Sequence, residues 1–158
     1  MDSNTTSDKI RVLYVDDEEH NLISFKASFR RIFKVFIALS AEEGREILEK
    51  EDIQVIITDQ RMPEETGVDF LVSILDKHPE PIRMLLTGYS DIEAVVDAIN
   101  KGQVYKYITK PWNEHELRIN VENAFEVYSL RKENQILMEK LKKANQQLEF
   151  LLRQKLLD

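Results

Sequence analysis

The sequence predicts an α/β fold: a doubly wound, five-stranded parallel sheet with five helices, the last of them extended into a coiled coil. Three observations carry this. Short apolar runs alternate five times with stretches of helical periodicity. The run Val55-Ile56-Ile57-Thr58-Asp59 is apolar or β-branched on both faces before it ends in a carboxylate and, beyond it, Met62-Pro63; a strand covered by helices on both sides reads this way. From Asn113 to Asp158 there is neither proline nor glycine, so a single helix of roughly 65 Å can run through that stretch at 1.5 Å per residue.

Taken in order, residues 1–8 are polar and expected to be flexible. Ile10 to Val15 reads as the first strand and feeds the acidic turn Asp16-Asp17-Glu18-Glu19. Leu22, Phe25, Phe29 and Ile32 or Phe33 then recur at helical spacing. Lys34 to Ala38 is a short second strand, and Ser40-Ala41-Glu42-Glu43 a capping box opening a helix to about Lys50. The strand ending at Asp59 is third. Beyond Gly67, the residues Val68, Phe70, Leu71, Ile74 and Leu75 mark a third helix that stops before His78-Pro79. Ile82 to Leu86 is the fourth strand, ending at Thr87-Gly88, and Ser90 or Asp91 is placed to cap a helix bearing Ile92, Val95, Val96 and Ile99, closed by Gly102. Val104 to Ile108 is the fifth strand, followed by Thr109-Lys110-Pro111-Trp112. Right-handed crossovers turn such an alternation into a parallel sheet with helices on both faces.

Composition narrows the function classes. With 158 residues and 42% hydrophobic content the chain holds one domain and an extension. It has no cysteine, which excludes disulfides and thiolate metal sites, and its three histidines, His20, His78 and His115, lack ligand spacing. No apolar run reaches the length of a membrane span, and residues 1–7 have no signal-peptide pattern; a cytoplasmic protein without membrane contact is expected. Residues 113–158 carry eight acidic and eight basic side chains, so of the chain's 29 acidic and 22 basic residues, 21 and 14 precede them. The whole net charge of −7 therefore lies in the first part, which argues against direct binding to nucleic-acid phosphates.

In open parallel sheets, ligands gather at the carboxyl ends of the strands. The first strand delivers Asp16 and Asp17 there, the third Asp59, the fourth Thr87 and the fifth Lys110. Crowded carboxylates repel one another unless a cation neutralises them, and an all-oxygen set without His or Cys suits a hard ion, Mg²⁺ above all. Beside it, Lys110 offers a point charge and Thr87 a hydroxyl to phosphate oxygens, and Asp59 is a candidate nucleophile for an acyl phosphate. Singly, each residue has an ordinary role in a turn or on the surface; their joint placement at successive strand ends points to phosphoryl chemistry.

These residues resemble the receiver domains of two-component response regulators, over roughly residues 9–128. Asp16-Asp17 matches the family's acidic metal pair, Asp59 its phospho-acceptor, Met62-Pro63 and Gly67 the loop after it, Thr87 the switch hydroxyl, and Lys110-Pro111 the lysine followed by a cis proline. The resemblance implies a flavodoxin-like arrangement, Mg²⁺ contacts from Asp16, Asp59 and the backbone carbonyl of Arg61, with Asp17 reaching the ion through water, and a switch role for Tyr107. It implies a sensor histidine kinase or a phosphotransfer protein as donor, and no enzyme activity beyond the domain's own phosphotransfer and autodephosphorylation. It also places Arg61 and Tyr89 near the path of the water that attacks the phosphorylated aspartate.

The helix after Asn113 divides in two. Leu117, Val121, Ala124 and Tyr128, spaced 4, 3 and 4, suit packing on the sheet, whereas from Val127 a heptad sets in. Val127, Asn134, Leu141, Leu148 and Lys155 fall at a, and Leu130, Leu137, Ala144 and Leu151 at d. About four heptads with leucine-rich d positions and one a-position asparagine favour a parallel, two-stranded homodimer. Ile136, Met138 and Phe150 lie off this seam. The expected organisation is a flexible 1–8, a receiver domain over 9–126 and a coiled-coil helix over 127–158 that leads into an output module this chain lacks. Rival readings are a docking adaptor indifferent to phosphorylation, and a phosphatase of the haloacid-dehalogenase type, which wants an acid where Arg61 stands. A flavin-binding relative of the fold lacks support, since no glycine- or serine-rich loop follows the first strand.

Overall fold

The structure, a computed structural model, describes residues 8–157. Of the stretch 1–8 expected to be flexible, all but Asp8 lies outside the described residues. The elements are β1 (Ile10–Val15), α1 (Glu19–Phe29), β2 (Phe33–Ala38), α2 (Ala41–Lys50), β3 (Val55–Asp59), α3 (Gly67–Ser73), β4 (Ile82–Thr87), a short 3₁₀ turn (Tyr89–Asp91), α4 (Ile92–Asn100), β5 (Lys106–Thr109) and α5 (Glu114–Leu157). The strands form one parallel sheet in the order β2-β1-β3-β4-β5. The order reverses at β1, so the crevice between the carboxyl ends of β1 and β3 is the topological switch point where such sheets place their ligands.

Period-two alternation splits the core into two layers. Val12 and Tyr14 of β1, with Val55 and Ile57 of β3, face Leu22, Phe25 and Phe29 of α1 and Leu117, Val121 and Ala124 of α5. Leu13 and Val15, with Ile56 and Leu85, face Leu48 of α2, Phe70 and Leu71 of α3, and Val95 and Ala98 of α4. β3, at the centre, is buried along its full length, as its continuous apolar run requires.

Local chemistry explains most boundaries. Ser40 Oγ accepts from the Glu43 amide at 3.2 Å, the expected N-cap of α2, while Glu43 Oε2 accepts at 2.7 Å from the amide of Leu39, one residue before the cap, and not from that of Ser40. Asn113 Oδ1 accepts from the Glu116 amide at 3.1 Å and opens α5. Gly102, at φ +74°, closes α4, its amide bonding to Ile99 O at 2.9 Å.

Four expectations are corrected. Neither Ile32 nor Phe33 belongs to α1, which ends at Phe29; Phe33 opens β2, because pairing with Ile10 extends the β1–β2 ladder to that residue. α3 ends at Ser73, with Ile74 and Leu75 beyond it. β5 begins at Lys106: Val104 is buried, yet the ladder to β4 starts at Met84↔Lys106. Neither Ser90 nor Asp91 caps α4; Arg61 captures both side chains, as described below.

α5 is continuous over 44 residues. Leu117, Val121, Ala124 and Tyr128 are its buried residues, the expected 4, 3, 4 face. From Ser129 to Leu157 every residue is exposed apart from the half-buried Lys132. Among the described residues no helix is long and apolar enough to cross a membrane.

Candidate functional site

Asp16 follows β1 directly and is fully buried. Its carboxylate is held from three directions: Tyr14 Oη donates to Oδ2 at 2.6 Å, Asn21 Nδ2 to Oδ2 at 3.1 Å, and the Glu18 amide to Oδ1 at 2.9 Å. Burial, and then the hydrogen bond to Asp16, push the Tyr14 hydroxyl well above the usual tyrosine range, so it stays protonated and remains the donor. Asp17, the next residue, points to solvent. Asp59 closes β3 at 5% exposure. One carboxylate oxygen from each of Asp16, Asp17 and Asp59 lies within 4.8 Å of the others.

Lys110, after β5, forms an ion pair with Asp59 Oδ1. That oxygen is sealed from solvent. Burial raises the Asp59 carboxyl above its usual range; Lys110 opposes the shift, and Asp16 and Asp17 add to it. Three carboxylates against one ammonium leave a formal charge of −2. A compact, all-oxygen, doubly negative set at a strand-end crevice fits a hard divalent cation.

The sign of the Asp59 shift sets a pH dependence. With its folded pKa above the unfolded value of 3.8, the folded state holds the extra proton between the two values. The stabilisation from this group is complete below the unfolded pKa and is lost as pH rises through the folded one. In metal-free buffer, Asp59→Asn is therefore expected to raise Tm at pH 7 relative to wild type and to flatten the fall in Tm above pH 4. Thermal melts in EDTA across pH 4–8 check this; a lower Tm for Asp59→Asn at pH 7 counts against it.

The other expected residues are distributed around this centre. Thr87 closes β4 beside Asp59, buried, with its hydroxyl donating to Gly88 O at 3.2 Å. Tyr107 pairs with Leu85 in the sheet and is half-buried against the second core layer. The Lys110–Pro111 peptide is cis, as the receiver resemblance implies. The Arg61 side chain turns away from the carboxylates: Nε donates to Asp91 Oδ2 at 2.8 Å and Nη2 to Ser90 Oγ at 3.2 Å, tying the β3–α3 loop to the turn before α4.

Sequence reasoning missed the residues that hold this loop and the acidic pair. Gln60 spans the loop, its carbonyl accepting from the Gly67 amide at 3.0 Å and its Oε1 from the Val68 amide at 2.9 Å. Tyr14 was legible in principle, since residues two apart in extended chain share a face. The long-range partners Arg61–Asp91 and Arg45–Glu65 leave no local pattern.

Known proteins share this sequence pattern and this fold. The family model for the response regulator receiver domain matches residues 12–122. The hydrogenase transcriptional regulatory protein HoxA of Bradyrhizobium diazoefficiens is 37% identical over 124 residues, which are 78% of this chain and 26% of that protein. The regulatory protein AtoC of Escherichia coli is 31% identical over 126 residues, 78% of this chain and 27% of its own. The chain thus spans about a quarter of the length of these curated relatives. Among solved structures, a response regulator receiver domain protein from Clostridium thermocellum superposes with a TM-score of 0.72 at 31% identity, over 77% of this chain and 98% of that one. A chain described as adenylate cyclase from Rhodopirellula baltica superposes at 0.81 with 27% identity, over 84% and 98% respectively.

Proposed function

Because this chain belongs to the response regulator receiver family, we propose that it accepts a phosphoryl group on Asp59 and relays that state through a dimeric α5. The donor is a sensor histidine kinase or a phosphotransfer protein of the two-component type, and the exchange is cytoplasmic. The observation that carries the reading is the convergence of Asp16, Asp17 and Asp59, with Lys110 already on the Asp59 carboxylate.

In this reading Asp16, Asp17, Asp59 and the Arg61 backbone carbonyl are the groups that would hold Mg²⁺. Bound there, the ion supplies positive charge against the phosphoryl oxygens. An Asp59 oxygen attacks phosphorus as the P–N bond to the donor histidine breaks; with the other ring nitrogen of that histidine protonated, the imidazole leaves neutral and an acyl phosphate remains on Asp59. Lys110 exchanges Asp59 Oδ1 for a phosphoryl oxygen. The Thr87 hydroxyl leaves Gly88 O for another, and Tyr107 fills the space Thr87 vacates. Water later cleaves the acyl phosphate at the same centre, which is the extent of the chain's own catalysis. Incubation with acetyl phosphate tests the acceptor chemistry: intact mass is expected to rise by one phosphoryl group with Mg²⁺ and not without it, and no gain in either condition refutes it.

The relay depends on a second copy of the chain. Leu130, Leu137, Leu141, Leu148 and Leu151 are all more than half exposed, and they fall on the a and d positions of one seam. α5 joins this seam to the domain without a break, since Val127, its first a position, packs on the core containing Tyr128. The output module expected beyond the helix receives its signal through this connection; the acidic receiver itself makes no contact with nucleic acid. Changing Leu137 and Leu141 together to lysine is expected to weaken the dimer by at least ~4 kcal/mol, about a thousandfold, since full burial of each leucine contributes about 1.5–3 kcal/mol. Sedimentation equilibrium checks this; a double variant that dimerises like wild type excludes the seam.

A further inference from the structure

The β3–α3 loop, residues 60–66, follows Asp59 directly; its Met62 to Glu65 line a cavity together with Asp17, and the loop is tied on both flanks by guanidinium groups. Toward α4 the tie is Arg61 to Asp91, with the arginine side chain 73% exposed, a setting in which ion pairs contribute little. Toward α2 the tie is Arg45 to Glu65, with both side chains about 70% shielded, at 30% and 29% exposure. We propose that Arg45 is a positioning residue for the divalent-metal site, fixing through Glu65 the loop that presents the Arg61 carbonyl. The inference rests on the metal reading given above.

Arg45 is itself held in place. Its Nε and Nη2 donate to Ser73 Oγ at 3.2 and 2.8 Å, while that hydroxyl donates onward to Phe70 O at 2.6 Å. The guanidinium lies over the Phe70 ring, 5.6 Å from its centre. One fork thereby joins α2, α3 and the loop, a geometry open to arginine and closed to lysine. Gly44 makes the approach possible: a Cβ there would stand 2.9 Å from Phe70 Cζ and 3.2 Å from Val15 Cγ2, so α2 settles on Phe70 only because none is present. The loop needs such a tie. Glu64, at φ +63°, adopts a left-handed conformation unusual for a residue other than glycine, and such residues persist where their surroundings over-determine them. Its neighbour Glu65 is the residue Arg45 grips.

Positioning and plain electrostatics act on metal affinity with opposite signs. As a charge alone, Arg45 would repel a cation, and its removal would tighten Mg²⁺ binding. As a positioning residue, its removal frees the loop and weakens it. The test is calorimetric titration of the whole chain with MgCl₂. Arg45→Gln is expected to raise the Mg²⁺ Kd about tenfold, the lower end of what outer-shell partners contribute. Arg45→Lys, which keeps the charge, is expected to raise it as well, and Glu65→Gln to match Arg45→Gln with no further rise in the double variant. Arg118→Gln, which breaks an ion pair with Glu122 along α5, is expected to keep the wild-type value. An unchanged or lowered Kd in Arg45→Gln overturns the proposal; should that variant fail to fold, an unchanged Kd in Glu65→Gln does the same. A wild type that binds no Mg²⁺ overturns the metal reading itself, and the inference with it.

Discussion

Asp59→Asn is expected to abolish the Mg²⁺-dependent gain of one phosphoryl group from acetyl phosphate and to leave the chain folded. Asparagine keeps the shape of the side chain but offers an amide in place of the nucleophilic carboxylate. No neighbour takes over the reaction. Asp16 is fully buried, and its two oxygens already accept three hydrogen bonds, which lowers its nucleophilicity. Asp17 is exposed and lacks the lysine that pairs with Asp59. Intact-mass spectrometry with and without Mg²⁺ checks the outcome: incorporation falls to background in the variant. Undiminished incorporation would place the acceptor elsewhere and remove the chemical core of the account.

Among the chain's four glycines, Gly67 is the one whose change to alanine is expected to cost the most stability. A Cβ at this position would lie 2.4 Å from Asp59 O, 3.1 Å from Asp59 C and 2.6 Å from Leu85 Cδ2. The leucine methyl can rotate aside. The Asp59 carbonyl cannot, because it is backbone at the end of a fully buried central strand. Meanwhile the Gly67 amide is committed to Gln60 O at 3.0 Å. Either α3 lifts off the sheet or the acceptor residue moves. Overpacking of this kind costs about 3 kcal/mol, equivalent to a drop in Tm of roughly 10 °C for a chain of this size, and phosphorylation slows along with it. Gly88→Ala is the matched control: nothing lies within 4 Å of its Cβ position and φ is −84°, so a change below ~0.5 kcal/mol is expected there. Equal losses in the two variants would show that the close approach at Gly67 does not set its identity.

The parts of this architecture that were legible in the sequence are those governed by local periodicity. β3 could be read because burial on both faces demands an unbroken apolar run, and Asp59 because it interrupts that run where the sheet ends. Once the parallel order is inferred, Asp16, Asp17, Thr87 and Lys110 must gather at the same sheet edge, since Thr87 ends a strand of that sheet and the others follow one. The turn before α4 could not be read, because its outcome depends on a competitor 30 positions away in the chain. Asp91 has the chemistry of a helix cap, yet Arg61 offers its carboxylate a charge-assisted bond at 2.8 Å that an α4 amide cannot match. β5 illustrates the same limit at the edge of the sheet: Val104 is apolar and buried, but only register against β4 decides where the ladder starts. The Arg45–Glu65 tie joins residues 20 apart on different elements, and nothing in either neighbourhood announces the other.

The central claim is that the chemical state of Asp59 reaches the seam on α5. The most direct measurement is sedimentation velocity over a concentration series, on the chain alone, with Mg²⁺, with acetyl phosphate, and with both, for wild type and Asp59→Asn. The account predicts that the dimer dissociation constant of wild type shifts only when Mg²⁺ and acetyl phosphate are present together, and that the variant shows no shift. Identical dissociation constants for unmodified and fully phosphorylated wild type would contradict it.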